Sequence, residues 1–406
     1  MTAATDPPLY LDHAATTRVS AQVRAAMAAA LDADFGNPSS RHPLGHAASE
    51  ALAEARRTIA RALGAHPEGV VFTSGGTEAN NLALFGLMPE RPARRVGGVD
   101  LLIGPTEHPS VRVPAEDLAR RGFHVETAAL TEAGDLDVAA AAEALDEDTA
   151  LVAQMLINNE YGTLYDVERL ARAVAARGGP RTHLHVDAVQ AVGKLPIDLA
   201  SLFAALPGSL SISAHKIHGP KGVGALVLSE TALASDRKPR PVVRGGGQQD
   251  DLRPGTENVP GILGLAKAVE LACASVEATR TATLAARRAF ETALAASTLA
   301  TDHGARVLVP WCDDGRQAPH VLSLLLPGAP AEVWLHHLEE RGIYASAGSA
   351  CQAKKKDVSP AVLALGLDHE SARRVLRFSF AGESTPEEAT AAVAALEALA
   401  PTLAKL

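Results

Sequence analysis

The chain has 406 residues, of which 47% are hydrophobic and 21% are charged, and its formal net charge at pH 7 is -9. This length favours two domains, and the acidic balance argues against nonspecific binding to nucleic acids, which needs clustered lysine and arginine. Charges or prolines interrupt every long apolar run, and residues 1 to 17 contain no basic segment that leads into an apolar one. We therefore expect no membrane span, no secretory signal and a cytoplasmic protein.

Up to about residue 263, short runs rich in β-formers alternate with helical patterns. In chain order the runs are GVVFTS (69–74), DLLIGP (100–105), ALVAQMLI (150–157), HLHVDA (183–188), SLSISA (209–214) and GALVLS (224–229). Helices between such strands indicate crossover connections and a parallel or mixed sheet, so the sequence predicts an α/β domain. After about Gly264 an alanine-rich helical segment is followed by HVLSLLLPG, AEVWLHHLEERG, RVLRFSF and a terminal helix, which indicates a smaller α+β domain.

Lys216 lies between a strand and a turn rich in glycine and proline. Catalytic groups are common at such strand ends, so Lys216 is a candidate for a Schiff-base lysine that holds a carbonyl cofactor. The alternative is an ordinary solvated lysine. Ser213 and Lys216 also form an S-x-x-K pattern, but the S-D-N and K-T-G motifs that β-lactamases add to it do not occur.

Gly75, Gly76 and Thr77 follow a β-branched strand and precede a helical pattern. Backbone N–H groups at a helix N-terminus attract anions, and glycine lets a phosphate approach closely, so this turn is a candidate phosphate site. The alternative is a glycine-rich turn in which Thr77 caps the helix. The segment matches neither the P-loop nor the dinucleotide-binding pattern.

Asp187 and His108 each follow a predicted core strand. A buried carboxylate needs a partner, such as a protonated pyridine nitrogen, an arginine or a metal, although Asp187 could instead cap the following turn. A lone histidine is more often structural than catalytic. All these segments, however, bring polar residues to the carboxyl ends of strands, where open α/β sheets bind ligands.

Cys351 stands in ASAGSAC, a segment of small residues that gives a structural thiol little to pack against. Cys273 lies in an apolar helical pattern, and Cys312 is next to Trp311. Three cysteines without C-x-x-C spacing suit neither a disulfide framework nor a zinc site, so we predict no metal centre.

Ten segments in this order resemble the pyridoxal phosphate (PLP)-dependent cysteine desulfurases of the NifS/IscS type. They are YLDHAATT, FGNPSSRH, TSGGTEANN, TEHPSV, INNEYG, HVDAVQAVGKLPID, SAHKIHGPKG, RPGTEN, SAGSAC and RFSF. The resemblance implies fold type I, with a large PLP-binding domain (16–263) that contains a mainly parallel seven-stranded sheet. It also implies a small α+β domain (1–15 and 264–406) and a homodimer.

The resemblance further implies the role of each site residue. Lys216 binds PLP and later moves the substrate Cα proton, Asp187 pairs with the pyridinium nitrogen, and His108 stacks on the ring. Arg377 receives the carboxylate of L-cysteine, a task that suits a planar bidentate donor. Gln190 and Asn159 contact the ring hydroxyl, and Asn159 also contacts the substrate. The phosphate is held by Gly76, Thr77, Ser213 and His215, together with Thr256 of the partner subunit.

By the same resemblance, Cys351 takes the substrate sulfur as a persulfide, leaves alanine, and passes the sulfur to an acceptor protein such as an iron–sulfur scaffold or a thiolation enzyme. Its small neighbours would let the thiol move. Lys354, Lys355 and Lys356 are expected to assist the thiolate or to bind an acidic acceptor protein. The alternative is a solvated charged loop.

The sequence departs from the family pattern at several positions, notably at Ala214, where glycine is commoner, and in the lysine run after Cys351. None of these departures removes a catalytic group. Two alternatives are a selenocysteine lyase and another PLP-dependent β-lyase or aminotransferase. A third, of another class, is a catalytically weak sulfur-relay scaffold.

Overall fold

The computed structural model describes residues 8–90, 98–348 and 358–405. Cys351, Lys354, Lys355 and Lys356 lie outside the described residues. The chain forms two compact units. Unit 1 is drawn from Met1–Thr17, Ile157–Leu164 and Val276–Leu406, and unit 2 from Arg18–Leu156 and Tyr165–Ser275. The domain boundaries implied by the resemblance stay a prediction.

The strands of the described residues are mostly short. They are β1 (Leu9–Tyr10), β2 (Val70–Thr73), β3 (Leu101–Ile103), β4 (Val125–Thr127), β5 (Leu151–Met155), β6 (His183–Asp187), β7 (Gly208–Ser213), β8 (Gly224–Leu228), β9 (Arg306–Val307), β10 (Val321–Leu325), β11 (Ile343–Tyr344), β12 (Ser346–Ala347) and β13 (Val375–Ser379).

The α-helices of the described residues range from one turn to 21 residues. They are α1 (Ala21–Ala33), α2 (Pro43–Leu63), α3 (Gly76–Leu87), α4 (Pro109–Arg120), α5 (Val138–Ala144), α6 (Val167–Arg177), α7 (Leu199–Leu202), α8 (Glu230–Ala234), α9 (Val259–Ala274), α10 (Val276–Ala296), α11 (Thr298–Thr301), α12 (Ala331–Glu339), α13 (Pro360–Ala364), α14 (His369–Ala372) and α15 (Pro386–Leu403).

Unit 2 contains a seven-stranded sheet in the order β2-β8-β7-β6-β5-β3-β4. Strand β8 is antiparallel to both neighbours, and the pairings from β7 across to β4 are parallel. The central strands β5 to β8 are buried along their whole length, as expected of a sheet covered on both faces. The predicted α/β class with a mainly parallel seven-stranded sheet is confirmed.

The register of this sheet brings several strand ends to one edge. Thr73, the last residue of β2, and Ser213, the last residue of β7, both pair with Gly224. Asp187, the last residue of β6, pairs with Ser211 on one side and Met155 on the other. The turns that follow β2, β6 and β7 therefore begin close together.

Unit 1 contains a four-stranded antiparallel sheet in the order β12-β13-β10-β9, and β1 pairs in parallel with β11. Its core is a cluster of large apolar side chains in which Phe290, Trp334 and Phe378 are completely buried. The ring centroids of Phe290 and Phe378 are 4.9 Å apart. This core joins α10, α12 and α15 to the sheet.

Among the described residues, no single helix is long and apolar enough to cross a membrane. The consecutive helices α9 and α10 reach that length and composition only when they are taken together as a bent pair.

We expect Phe290→Ala to lower the free energy of unfolding of unit 1 by about 3–5 kcal/mol, because it removes a fully buried ring and leaves a cavity. Both tryptophans, Trp311 and Trp334, lie in unit 1, so the midpoint of urea unfolding followed by tryptophan fluorescence reports on this unit. Tyr344→Ala is the matched control, since Tyr344 is an aromatic residue of the same unit and is 42% exposed. Equal midpoints for the two variants would contradict this account of the core.

Candidate functional site

A bare helix N-terminus follows β2. Gly75 is the N-cap residue of α3 and has φ 151°, a conformation that favours glycine. Because glycine has no side chain, it makes no capping hydrogen bond to the helix. The first N–H groups of α3 are therefore left for another acceptor. A Cβ on Gly76 would lie 2.6 Å from Cγ2 of Val189, so only glycine fits there without displacing that side chain.

The end of β7 lies beside this helix N-terminus. The Oγ atom of Ser213 is 3.7 Å from the position that a Cβ on Gly75 would take. After Ser213 the chain makes a single 3-10 turn, Ala214–Lys216, in which Lys194 Nζ donates to the Lys216 carbonyl oxygen at 2.6 Å. Ala214 is completely buried and has φ in the ordinary negative range. Burial, and then the charges of the neighbouring lysines, lower the pKa of His215 to about 4.

Asp187 is a buried carboxylate at the end of β6. Its Oδ2 accepts from Asn80 Nδ2 at 2.7 Å, and its Oδ1 accepts from the Val189 backbone N–H at 3.0 Å. Gln190, one residue further on, is also buried. Donors to the charged form are what a buried carboxylate requires.

His108 is the N-cap of α4, and its Nδ1 accepts from the Ser110 N–H at 3.1 Å. Burial lowers the pKa of His108, the charge of Asp187 opposes that shift, and the charges of Lys216 and Arg112 add to it. Asp187 and Lys216 therefore both lie within electrostatic range of the His108 ring in unit 2. Since Nδ1 is an acceptor, the neutral ring carries its proton on Nε2.

Glu107 is a second buried carboxyl group in the same region. Its Oε1 accepts from the Met155 N–H at 2.6 Å. Burial, and then the negative charge of Asp187, raise the pKa of Glu107 well above its usual range. Two neighbouring buried carboxylates repel each other, so burial and the charge of Asp187 both favour the neutral form of Glu107.

Arg377 and Asn159 lie in unit 1. Arg377 is on β13 and is 2% exposed, its Nη1 donates to the Asn159 carbonyl oxygen at 3.0 Å, and its Nη2 pairs with Asp12 Oδ1 at 2.8 Å. Its Nε is buried and makes no hydrogen bond to any residue that the structure describes. The guanidinium is thus fixed in place and keeps donor capacity for an anion.

Thr256 is exposed, in the loop that precedes α9. Of the predicted site residues, unit 2 therefore contains Gly76, Thr77, His108, Asp187, Gln190, Ser213, His215, Lys216 and Thr256, and unit 1 contains Asn159 and Arg377.

The sequence did not single out several residues that hold these groups: Asp12, Asn80, Glu107, Ser110 and His185. Each lies inside or beside a segment that carried the resemblance. Their residue types gave a signal, because a polar residue inside a strand or on the first turns of a buried helix needs an explanation. The sequence alone does not identify the hydrogen-bond partner of each of these residues.

The chain is similar to known proteins over most of its length. A family model described as aminotransferase class-V matches residues 9–391. A cysteine desulfurase of Sinorhizobium fredii is 38% identical over 94% of this chain and 93% of the relative, and the cysteine desulfurase NifS of Azotobacter vinelandii is 35% identical over 94% and 89%.

Solved structures agree with these relatives. A NifS-like protein superposes with a TM-score of 0.86 at 31% identity, covering 98% of this chain and all of that one. DndA of Streptomyces lividans superposes with a TM-score of 0.73 at 36% identity, covering 92% of this chain and 99% of that one. The chain belongs to the class V aminotransferase family, whose members are PLP-dependent enzymes. Its similarity to cysteine desulfurases over nearly its whole length shows that its activity is cysteine desulfuration, as the motifs predicted.

We expect the histidines of β6 to make unit 2 sensitive to acid. Both are completely buried, and burial lowers the pKa of His183 and of His185 to about 3. Between the unfolded pKa of about 6.5 and this folded value the unfolded chain binds more protons, so the free energy of unfolding falls as the pH falls, by about 1.4 kcal/mol per pH unit for each histidine.

The measurement is urea unfolding followed by circular dichroism at several pH values. His183→Gln should reduce the slope of unfolding free energy against pH by the contribution of one histidine, about 1.4 kcal/mol per pH unit. His336→Gln is the control, because the side chain of His336 is 79% exposed. A slope that is the same in His183→Gln and in the wild type would contradict the prediction.

Proposed function

We propose that unit 2 binds PLP and that Lys216 forms the bond to its aldehyde. The single observation that carries the proposal is that the charges of Asp187 and Lys216 both affect the pKa of His108. These residues lie in the unit that also holds the N-terminus of α3, which has no side-chain cap. The donor set suits a phosphorylated pyridine aldehyde, because it offers helix N–H groups for a phosphate, a carboxylate for a ring nitrogen and an amine for an aldehyde.

The phosphate would lie against Gly76, Thr77, Ser213 and His215. A neutral His215 donates or accepts a hydrogen bond there without adding charge, and the α3 N-terminus attracts the anion. Thr256 of the partner subunit would complete this end in a homodimer. Gln190 and Asn159 would contact the ring hydroxyl.

Asp187 would hold the pyridine nitrogen in its protonated form, because an ionised carboxylate favours a neighbouring positive charge. When bound, PLP supplies an electron sink for the electron pair released at the substrate Cα. His108 would lie on the ring face, with its Nε2 proton available for transfer. The Lys216 amine would move the Cα proton, and Arg377 would bind the substrate carboxylate.

The sulfur chemistry would belong to Cys351. Its thiolate attacks the sulfur of L-cysteine, a new S–S bond forms, and the Cβ–S bond of the substrate breaks. The electron pair of that bond is protonated, so the products are L-alanine and a persulfide on Cys351, with no external oxidant or reductant. The persulfide would then pass to an acceptor protein, either an iron–sulfur scaffold or a thiolation enzyme.

Lys354, Lys355 and Lys356 follow Cys351 closely in the sequence. We propose that their charges favour the thiolate or attract an acidic acceptor surface. The homodimer and the cytoplasmic location stay predictions.

Cys351→Ala should lower the rate of alanine formation from L-cysteine on the order of 100-fold or more, because the variant lacks the nucleophile. Alanine is measured with L-cysteine and a reductant, and the visible absorbance of the purified enzyme checks that cofactor is still bound. Cys312→Ala is the matched control, since Cys312 is an exposed free cysteine. Equal rates of alanine formation in Cys351→Ala and the wild type would refute the role of this thiol.

Gly76→Ala should weaken PLP binding by about tenfold, because the added methyl group displaces the stiff Val189 side chain. The backbone N–H of Val189 donates to Asp187, so this displacement also disturbs the carboxylate. The dissociation constant is measured by titrating the apoprotein with PLP, and its melting temperature is recorded beside it. Gly382→Ala is the control, because a Cβ there meets only ordinary contacts, the nearest at 3.4 Å. If Gly76→Ala and Gly382→Ala bind PLP alike, the α3 N-terminus is not the phosphate site.

A further inference from the structure

A chain of hydrogen bonds runs through the interior of unit 2 and ends on Asp187. His183 Nε2 and His185 Nδ1 each lie 2.9 Å from Ser209 Oγ. His185 Nε2 lies 2.9 Å from Asn80 Oδ1, and Asn80 Nδ2 lies 2.7 Å from Asp187 Oδ2. All five side chains are buried. We call this chain the β6 relay, because three of its members are on β6.

The donor directions in the β6 relay follow from Asn80. Its Nδ2 has two hydrogens, which go to Asp187 Oδ2 and to Ser110 Oγ. Its Oδ1 can only accept, so His185 carries a proton on Nε2 and has an unprotonated Nδ1. That Nδ1 takes the hydroxyl hydrogen of Ser209, whose oxygen is then the acceptor for His183. Every hydrogen in the relay points towards Asp187.

This arrangement requires neutral histidines. Burial lowers the pKa of both ring systems to about 3, so each carries a single ring proton at neutral pH. The one proton of His185 is committed to Asn80. Without that donor, the buried amide oxygen of Asn80 would lose its partner, which weakens the orientation in which the Asn80 nitrogen faces Asp187.

A second branch links Asn80 to His108. Ser110 Oγ accepts from Asn80 Nδ2 at 2.8 Å and lies 2.8 Å from His108 Nδ1. Since Ser110 accepts from Asn80, its own hydrogen is directed at His108. One amide group thus orients both the carboxylate of Asp187 and the ring of His108.

The neighbouring carboxyl of Glu107 shows why Asp187 needs this support. Glu107 accepts from one backbone N–H, on Oε1, and its Oε2 has no hydrogen-bond partner among the described residues. Asp187 accepts from Asn80 and from the Val189 N–H, one donor on each oxygen. The uneven supply of donors favours the negative charge on Asp187 over Glu107.

We propose that Asn80 and His185 are positioning residues for the cofactor: His185 fixes the orientation of the Asn80 amide, which keeps a donor on Asp187 and so strengthens the contact of Asp187 with the pyridine nitrogen. This inference rests on the proposed PLP site. Neither residue is assigned a contact with PLP or with substrate.

The test compares two replacements of His185. The amide nitrogen of Gln reaches about as far as Nε2 of histidine, so His185→Gln keeps a donor for Asn80, whereas His185→Leu removes it. We expect His185→Leu to weaken PLP binding to the apoprotein by about tenfold, the equivalent of one hydrogen bond to a charged group, and His185→Gln by no more than about threefold. The pH at which the absorbance of bound PLP changes should shift in the Leu variant and be nearly restored in the Gln variant.

A second pair of variants covers the case in which His185→Leu does not fold. Ser209→Ala removes a hydroxyl of the relay and should weaken PLP binding about threefold. Ser211→Ala is its matched control on the same strand, because the Ser211 hydroxyl is buried and has no hydrogen-bond partner among the described residues. Ser211→Ala should bind PLP as the wild type does.

Inorganic phosphate is the probe that separates the two ends of the site. The inhibition constant of phosphate, corrected for the PLP affinity of each variant, should be unchanged in all four variants, since the relay acts on the ring end. If the wild type binds no PLP, the proposed function is wrong. If the wild type binds PLP and the Leu and Gln variants, or the two serine variants, do not differ, the relay has no role in positioning and this inference alone is overturned.

Discussion

The interior of unit 2 is organised by one buried negative charge, the carboxylate of Asp187. An ionised group in an apolar interior is costly unless donors surround it, and here an amide and a backbone N–H supply them. Burial raises the pKa of Glu107 and lowers that of His108, and the charge of Asp187 adds to the first shift and opposes the second. The polar residues around β6 are thus explained by the need to keep that charge in place, and a protonated ring nitrogen is the ligand group that such a site favours.

Unit 1 contains a buried positive charge, the guanidinium of Arg377. Arg377 is compensated within its own unit by Asp12 and by the carbonyl of Asn159, so its guanidinium is held before any ligand arrives. Preorganisation of this kind lowers the entropic cost of binding a carboxylate. Each unit therefore stabilises its own buried charged side chain.

Much of this could be predicted from sequence because it depends on local patterns. The runs of apolar residues located β5, β6 and β8, and glycine before a helix indicated the turn at Gly76. The relay could not be predicted, because His185 and Asn80 are 105 positions apart and no pattern specifies that pairing. Asp12 and Arg377 are separated by 365 positions. Periodicity also gave no reason to group Ile157–Leu164 with the chain ends, since these residues follow a strand of the large sheet.

The division of the chain has a consequence for biosynthesis. All residues of unit 2 have been synthesised once Ser275 is added, whereas unit 1 lacks β13 and α15 until translation is almost complete. Leu11 and Asp12, among the first residues made, must wait for Ser379 and Arg377, among the last. Because compact units fold as they emerge, a nascent chain acquires the surroundings of Asp187 well before those of Arg377. A polypeptide truncated near the end of translation would therefore contain the folded surroundings of Asp187 but lack those of Arg377.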